Sequence, residues 1–263
     1  MQPTPLYVIG DIHGQKEMLD HALGLIAADG GPDAQIVFLG DYTDRGPNSK
    51  GVIETLLAGR DAGKPWTFIK GNHDKMFAGF VTTGQEHDPR VKSQISWINR
   101  RLGGITTLAS YGVEGMPQFA FQGDGREVLK SYTLGDRIID PATVQAQAQG
   151  LIPDDHIAFL QNLPLTHETD DLLFVHAGLR PGIPLDQQDP EDLIWIRDGF
   201  LENRADFGKL VVHGHTALDA PQHYGNRVNL DGGAGYGRQL VPAVFEGRDC
   251  WLLTPAGRQS LRP

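Results

Sequence analysis

Short apolar runs recur along the chain and predict β-strands that are buried on both faces. In the first half of the sequence these runs cover residues 6–9, 36–39 and 66–69. Between them, apolar positions recur at the spacing of one helix face, at Met18, Leu19, Ala22, Leu23 and Ile26 and again at Val52, Ile53, Leu56 and Leu57. Strands that alternate with helices predict a mostly parallel sheet with right-handed crossovers.

The second half of the sequence continues this pattern and then changes. Residues 172–175 and 209–212 are further apolar runs of the same kind. After Arg227 the apolar runs follow one another without intervening helices, and they predict closing strands over 228–230, 240–245 and 250–253. We expect these closing strands to be antiparallel, because short connections join antiparallel neighbours.

Polar residues stand directly after the predicted strands. In the first half they fall in three segments, which are Gly10-Asp11-Ile12-His13-Gly14, Gly40-Asp41-Tyr42-Thr43-Asp44-Arg45-Gly46 and Gly71-Asn72-His73-Asp74. In the second half, His176 and then His213-Gly214-His215-Thr216 occupy equivalent places. Ligands of parallel sheets lie beyond the carboxyl ends of the strands, so we expect these side chains to lie close together.

The donors gathered in this way indicate a metal centre. They are Asp11, His13, Asp41, Asn72, His176 and His215. A set of nitrogen and oxygen donors disfavours a structural thiolate zinc site and suits Mn²⁺, Fe or Zn²⁺ in an open catalytic geometry. Each segment alone has a simpler explanation, since Asp-x-His before glycine is often a turn and Asp41 alone could be a helix N-cap. The conjunction of five segments favours the metal site.

These segments resemble one known family. Their order and the form of residues 40–46 are similar to the phosphoprotein phosphatase branch of the calcineurin-like metallophosphoesterases, bacterial type. The resemblance runs from Tyr7 to about Tyr236, although residues 82–165 match only loosely. Nucleases and cyclic-nucleotide phosphodiesterases of the superfamily usually end in Gly-His-x-His, whereas this chain has Gly214-His215-Thr216-Ala217.

The resemblance implies a role for each site residue. It implies that two divalent metal ions, most simply Mn²⁺, are held by Asp11 and His13, by Asp41 as the bridge, and by Asn72, His176 and His215. It also implies that His73, held by Asp44, donates a proton to the leaving group. Arg45 and Arg197 are implied to bind the substrate phosphate together with Asn72. Arg180, His213 and Tyr236 remain undecided between substrate contacts and structural roles.

The resemblance implies a fold and a function as well. The expected fold is an α/β/β/α sandwich of two mixed sheets flanked by helices. The expected function is hydrolysis of phosphoserine and phosphothreonine by a metal-activated hydroxide that attacks phosphorus in line. The alternative is a diadenosine-tetraphosphate hydrolase that uses the same site. A non-catalytic phospho-binding module is a remote alternative, because Asp41, His73 and all the ligands are present.

Residues 82–165 interrupt the alternation of strands and helices. Helices are predicted over residues 94–108, with a break at Gly103-Gly104, over 141–149 with Asp140 as N-cap, and over 153–163. We therefore expect one domain over residues 1–263, with 82–165 as a helical cap or insert beside the site. Caps of this kind usually determine substrate choice.

Composition limits the binding partners and the cellular location that we expect for the protein. A net charge of −10 over 263 residues disfavours non-specific binding of nucleic acid. The partner that the family resemblance implies is a phosphorylated protein or nucleotide substrate. The single cysteine, Cys250, argues against a disulfide framework, and the first residues lack the pattern of a signal peptide. With no apolar run long enough for a membrane span, we expect a cytoplasmic enzyme without a membrane partner. The oligomeric state stays undetermined.

Overall fold

Fourteen strands and seven α-helices make up the computed structural model, which describes residues 4–263. The strands are β1 Leu6–Ile9, β2 Gln35–Phe38, β3 Trp66–Phe68, β4 Met116–Phe121, β5 Glu127–Leu134, β6 Arg137–Ile139, β7 Thr166–Glu168, β8 Leu172–Val175, β9 Leu210–His213, β10 Gln222–His223, β11 Arg227–Asn229, β12 Ala243–Glu246, β13 Asp249–Thr254 and β14 Gly257–Leu261. The helices are α1 Lys16–Gly30, α2 Ser49–Asp61, α3 Asn72–Thr83, α4 Gly104–Ser110, α5 Pro141–Leu151, α6 Asp154–Gln161 and α7 Pro190–Trp195.

Two mixed sheets form the centre of the fold. The first has six strands in the order β14-β13-β12-β1-β2-β3, and β1, β2 and β3 are parallel. The second has five strands in the order β10-β11-β9-β8-β7, and β8, β9 and β11 are parallel. The prediction of antiparallel closing strands is correct for β12 and β13, but it is wrong for β11, which pairs in parallel with β9.

The sheets share one buried layer, and helices cover their outer faces. Alternate residues of β1 show this division, because successive side chains of a strand point to opposite faces. Val8 packs into the layer between the sheets, against residues such as Phe174 and Val212. Tyr7 and Ile9 belong to the cluster that includes the apolar faces of α1 and α2. The architecture is the expected α/β/β/α sandwich.

The insert differs from a purely helical cap. Helices α5 and α6 lie where they were predicted, and the Asp140 carboxylate caps α5 by accepting from Thr143 N. Of the helix predicted over residues 94–108, only the part that begins at Gly104 forms, as α4. Strands β4, β5 and β6 form a three-stranded antiparallel sheet that was not predicted. No helix within residues 4–263 is long and apolar enough to cross a membrane.

Candidate active site

The six predicted donors meet at the carboxyl ends of strands from both sheets. Asp11 and His13 follow β1, Asp41 follows β2, and Asn72 begins α3 just after β3. His176 follows β8, and His215 follows β9. All six side chains are buried, and Asp41 forms part of two groups of side chains that can hold a metal ion. The structure therefore brings together every residue that the sequence assigned to the metal centre.

One group of donors surrounds the amide oxygen of Asn72. Asn72 Oδ1 lies 3.0 Å from His176 Nε2 and 2.8 Å from His215 Nδ1. His176 Nε2 also lies 3.4 Å from Asp41 Oδ2. Because His176 Nδ1 donates to the Leu39 carbonyl over 2.8 Å, a neutral His176 presents only the Nε2 lone pair to these oxygens. In their unprotonated forms these nitrogen and oxygen atoms could hold a cation between them.

A second group of donors surrounds His13. Its Nδ1 donates to the Thr43 carbonyl over 2.8 Å, which leaves Nε2 as the lone pair. That Nε2 atom lies 3.6 Å from Asp41 Oδ2 and 3.9 Å from Asp11 Oδ2. Both oxygens of Asp11 also accept from the backbone N–H of His215, which joins the ends of β1 and β9. Asp41 is thus shared between the two groups.

The electrostatics of these residues fit divalent cations. Burial raises the pKa of Asp11, and the nearby Asp231 carboxylate raises it further. Burial lowers the pKa of His176, but the Asp41 carboxylate outweighs this effect and raises the pKa to about 9. The buried carboxylates therefore favour positive charge beside them. The nitrogen and oxygen donors, the shared carboxylate and the convergent lone pairs match a dinuclear centre.

His73 lies beside the metal groups, but its ring is held by another carboxylate. Its Nδ1 is 2.7 Å from Asp44 Oδ2, and its Nε2 is 3.0 Å from Arg45 Nη2. His73 also falls within metal-binding distance of His13 and Asp41. Because Nδ1 is engaged by Asp44, the atom that His73 can offer to a substrate is Nε2.

Two residues of the insert hold Asp44, and sequence reasoning missed both. Trp97 Nε1 donates to Asp44 Oδ2 over 2.7 Å, and Thr107 Oγ1 donates to Asp44 Oδ1 over 2.7 Å. Trp97 is buried and packs against Phe77 and Phe80. Neither residue stands at a strand end, so no pattern in the sequence linked them to the site.

Sequence reasoning also gave no role to Asp74. Its carboxylate accepts from the backbone N–H groups of Asp41 and Tyr42 over 2.9 Å and from Gly71 over 3.1 Å. Burial and the neighbouring Asp41 raise its pKa to about 7. Asp74 therefore fixes the loop that carries Asp41 to the start of α3, where Asn72 and His73 lie. Its place as the last residue of the Gly71-Asn72-His73-Asp74 segment was the signal available.

The loops of the site hold unusual backbone conformations. Within the described chain, six residues other than glycine have left-handed φ angles, and five of them belong to the site: His13, Asp41, Asp44, Arg45 and His215. Such conformations cost on the order of 1 kcal/mol each, so the surrounding contacts must stabilise them. The strained backbone aims these side chains into the centre rather than along the strands.

Two arginines stand over the donors. The Arg45 guanidinium lies 4.8 Å from the centre of the Tyr236 ring. Arg197 Nη2 donates to the His215 carbonyl over 3.3 Å, and burial lowers the pKa of Arg197. Arg45 thus faces the site from the loop of residues 40–46, and Arg197 faces it from just after α7. A guanidinium matches phosphate oxygens in geometry and charge.

Both arginines line two neighbouring cavities. The His73 cavity, of about 530 Å³, is also lined by Asn72, His73, Arg90, Val91, Lys92, Ser93, Leu102, Asp192, Trp195, Ile196 and Asp198. The Tyr236 cavity, of about 350 Å³, is also lined by His215, Thr216, Ala217, Tyr236 and Arg238. Residues 90–93 and Leu102, which fall within residues 82–165, line the His73 cavity.

The three undecided residues have different surroundings. Arg180 forms an ion pair with Asp192, with Arg180 Nη2 2.5 Å from Asp192 Oδ2. His213 is buried, lies 3.2 Å from Arg227 Nη1 and packs against Phe200, so it supports the end of β9. Tyr236 is 61% exposed and lines a cavity beside Arg45. Only Tyr236 therefore faces the candidate site.

Comparison with known proteins agrees with this geometry. The profile of a family described as calcineurin-like phosphoesterase matches residues 4–237. The bis(5'-nucleosyl)-tetraphosphatase PrpE of Bacillus thuringiensis (strain Al Hakam), described as asymmetrical, is 24% identical over 259 aligned positions, which cover 89% of this chain and 87% of that protein. The protein of the same name from Bacillus cereus (strain 03BB102) matches equally well, with 24% identity over 259 positions.

Solved structures show the same fold. A protein provisionally assigned as a diadenosine tetraphosphatase has a TM-score of 0.60 at 21% identity, and the match covers 95% of this chain and 93% of that one. The cold-active protein-tyrosine phosphatase of a psychrophilic Shewanella species also has a TM-score of 0.60, at 18% identity, with coverage of 99% and 81%. At such identities the similarity concerns the fold alone.

Proposed function

Because the chain belongs to the calcineurin-like phosphoesterase family, with metallophosphoesterase hydrolase activity, we propose that it hydrolyses phosphate monoesters of serine and threonine. The proposal places it in the phosphoprotein phosphatase branch, on the form of residues 40–46. Two divalent metal ions are part of the proposal, with Mn²⁺ as the first candidate from the family resemblance and with Fe and Zn²⁺ as alternatives that a set of carboxylate, amide and imidazole donors also suits.

The residues proposed to hold the metals are those gathered at the strand ends. Asp11 and His13 would hold one ion, Asn72, His176 and His215 would hold the other, and Asp41, which is near donors of both groups, would be shared. When bound, such a pair of ions supplies charge neutralisation and a nucleophile derived from water at neutral pH. The chain itself contributes the burial that keeps bulk water from competing for these donors.

The observation that carries the choice of substrate is the contact between His73 and Asp44. An alkoxide leaving from phosphoserine is strongly basic and needs a proton, which a neutral-range imidazole can supply. Asp44 holds His73 Nδ1 at 2.7 Å, so His73 Nε2 is oriented toward the site. A leaving group that is itself a phosphate chain has less need of this proton. The contact therefore favours alkyl phosphate esters.

The arginines complete the proposed reaction. Arg45 and Arg197 line the cavity that His73 and Asn72 also line, so they can bind the equatorial oxygens of the phosphoryl group. Charge grows on these oxygens as the nucleophile adds, and preorganised donors stabilise that charge without reorganisation. Asn72 can contact the same oxygens through its amide nitrogen while its Oδ1 atom faces the metal donors.

Hydrolysis of dinucleoside tetraphosphates is the second candidate. It is favoured by the activity for which the Bacillus relatives and one similar solved structure are named. The same metals and arginines can serve either reaction. In each, a nucleophile attacks phosphorus, in one case of a phosphate ester and in the other of a phosphate anhydride. Identity of 24% does not transfer the substrate from those relatives to this chain.

A side-by-side assay tests the proposal. The enzyme is loaded with Mn²⁺, and kcat/KM is measured on a phosphoserine peptide, a phosphothreonine peptide and diadenosine tetraphosphate. We expect turnover of all the monoesters, with phosphopeptides hydrolysed more efficiently than the dinucleotide. Turnover of the dinucleotide alone would replace the first candidate with the second. Absence of turnover on every substrate, with two metals bound per chain, would contradict the hydrolase assignment itself.

A further inference from the structure

The His73 cavity and the Tyr236 cavity both adjoin Arg45 and Arg197, the arginines proposed to bind the reacting phosphate. The His73 cavity holds the proposed proton donor, so it is the side toward which a leaving group departs. A phosphate monoester has no other substituent on phosphorus, and it therefore needs only this cavity. The Tyr236 cavity shares Arg45 and Arg197 with the His73 cavity, but neither His73 nor Asn72 lines it, so a monoester does not require it.

The Tyr236 cavity has the chemistry of an anion site. Among its lining residues within the described chain are three arginines, Arg45, Arg197 and Arg238, and no carboxylate. The His73 cavity differs, because Asp192 and Asp198 line it beside its cations. A cavity whose charged lining groups are all cations favours an anionic ligand over a neutral or cationic one.

We infer that the Tyr236 cavity is a subsite for a second phosphate group, joined through a bridging oxygen to the phosphorus at the metal centre, and that Arg238 is its specific contact. The inference rests on the proposed phosphoester hydrolysis and extends it to phosphoanhydride substrates. In that reaction the oxygen of water bonds to the reacting phosphorus and the bond to the leaving oxygen breaks. The two protons of water are shared between the two products.

The local structure supports a built site. Gly235 lies so close to His13 and Arg45 that an added Cβ would stand 2.6 Å and 2.9 Å from their side-chain atoms, so the loop is packed onto the centre. The Thr216 hydroxyl is buried and has no hydrogen-bond partner within residues 4–263, and Thr216 is one of the residues that line the cavity. Phosphate oxygens accept from hydroxyls and guanidinium groups alike.

Arg238 is available to a ligand. Its Nη2 atom lies 2.8 Å from Asp219 Oδ1, but the Asp219 side chain is 95% exposed. An exposed ion pair of this kind contributes little to the free energy of folding, so a phosphate can replace Asp219 as the partner of Arg238 at little cost. Tyr236, stacked on Arg45, presents its exposed ring at the same opening and adds a flat face to the subsite.

Substrate selectivity of Arg238 variants tests the inference. Wild type, Arg238→Ala and Arg238→Lys are loaded with Mn²⁺, and kcat/KM is measured on diadenosine tetraphosphate and on p-nitrophenyl phosphate. We expect wild type to hydrolyse both compounds, and Arg238→Ala to lose roughly tenfold more activity on the dinucleotide than on the monoester, as one lost charged hydrogen bond implies. Arg238→Lys should recover part of this loss. Arg262→Ala, an equal charge change at an exposed site, serves as the control.

The outcomes separate the inference from the function on which it rests. If wild type hydrolyses the monoester but not the dinucleotide, or if Arg238→Ala loses equal activity on both, the subsite is wrong and the hydrolase stands. If Arg262→Ala matches Arg238→Ala, general charge explains the effect and the subsite is again wrong. If wild type with two bound metals hydrolyses neither compound, the proposed function fails.

Discussion

The Trp97 indole donates to Asp44 over 2.7 Å, at the same oxygen that lies 2.7 Å from His73 Nδ1. The insert therefore supplies a contact to the proposed proton donor, in addition to lining a cavity. A carboxylate that accepts two such bonds at one oxygen is fixed in position, and it fixes the imidazole in turn. Orientation of this kind sets the efficiency of a proton donor.

Removing the indole donor should weaken proton donation. Trp97→Phe keeps an aromatic ring against Phe77 and Phe80 but loses the bond to Asp44. We expect kcat on phosphoserine to fall several times more than kcat on p-nitrophenyl phosphate, while metal content stays at two ions per chain. Trp66→Phe makes the same change beside Phe38 and Phe68 in the first sheet and serves as the control. Equal losses on both substrates would assign Trp97 a purely structural role.

His73 itself should show the same dependence on the leaving group, more strongly. We predict that His73→Asn keeps both metals bound and loses roughly 10²–10⁴-fold in kcat on phosphoserine. p-Nitrophenolate leaves without a proton, so the loss on p-nitrophenyl phosphate should be much smaller. Asp44→Asn should give a weaker version of this pattern, since it only orients the ring. Loss of metal with equal losses on both substrates would make His73 a ligand instead.

Asp41 should be the most sensitive of the metal donors. Its carboxylate lies near His13 and His176 at once, so Asp41→Asn removes charge from both metal groups. We predict loss of at least one metal per chain by elemental analysis and loss of nearly all turnover. Asp170→Asn, an exposed carboxylate, should change neither. Two metals with wild-type kcat in the Asp41 variant would refute the assignment.

The arginines should contribute to turnover without holding metal. Arg45→Ala and Arg197→Ala each remove a charged donor that faces the reacting phosphate, by analogy a loss of ~2.7–4 kcal/mol in transition-state stabilisation. We expect kcat/KM on p-nitrophenyl phosphate to fall by roughly 10²–10³-fold at unchanged metal content. Unchanged kcat/KM in Arg197→Ala would leave Arg45 as the only clamp.

Metal removal should lower thermal stability. Ions that bind only the folded chain stabilise it by about 2.7 kcal/mol at one hundred times their Kd. For a chain of this size we therefore expect chelation to lower Tm by about 5–10 °C, and Mn²⁺ to restore it. The measurement is differential scanning calorimetry with and without chelator. A Tm that does not respond to either treatment would contradict a metal centre in this core.

The strand ends could be predicted from the sequence because strong local patterns mark them. The apolar runs that precede Asp11, Asp41 and His176 are continuous. The parallel strands of the two main sheets bring the ends of these runs together. The direction of β11 could not be predicted in this way, because an apolar run is the same in a parallel and in an antiparallel strand. Pairing partners depend on the rest of the sheet.

The insert was harder to predict for a physical reason. Exposed positions of its sheet carry large apolar side chains, such as Phe121, which is 74% exposed, and Ile138, which is 78% exposed, so its strands lack a clean alternation of apolar and polar residues. The contacts of Trp97 and Thr107 with Asp44 span 53 and 63 residues of sequence. Contacts of this range follow from the packed fold and have no local pattern.

The left-handed backbone at five site residues implies a conflict between stability and activity in this protein. Glycine adopts such angles without strain, so Arg45→Gly or His215→Gly would relieve the backbone while removing the chemistry. Selection for heat resistance alone would therefore not maintain these backbone conformations. Engineering a more durable enzyme should start in helices that carry no site residue, such as α1 and α5, and in the exposed sheet of the insert, where added stability does not oppose catalysis.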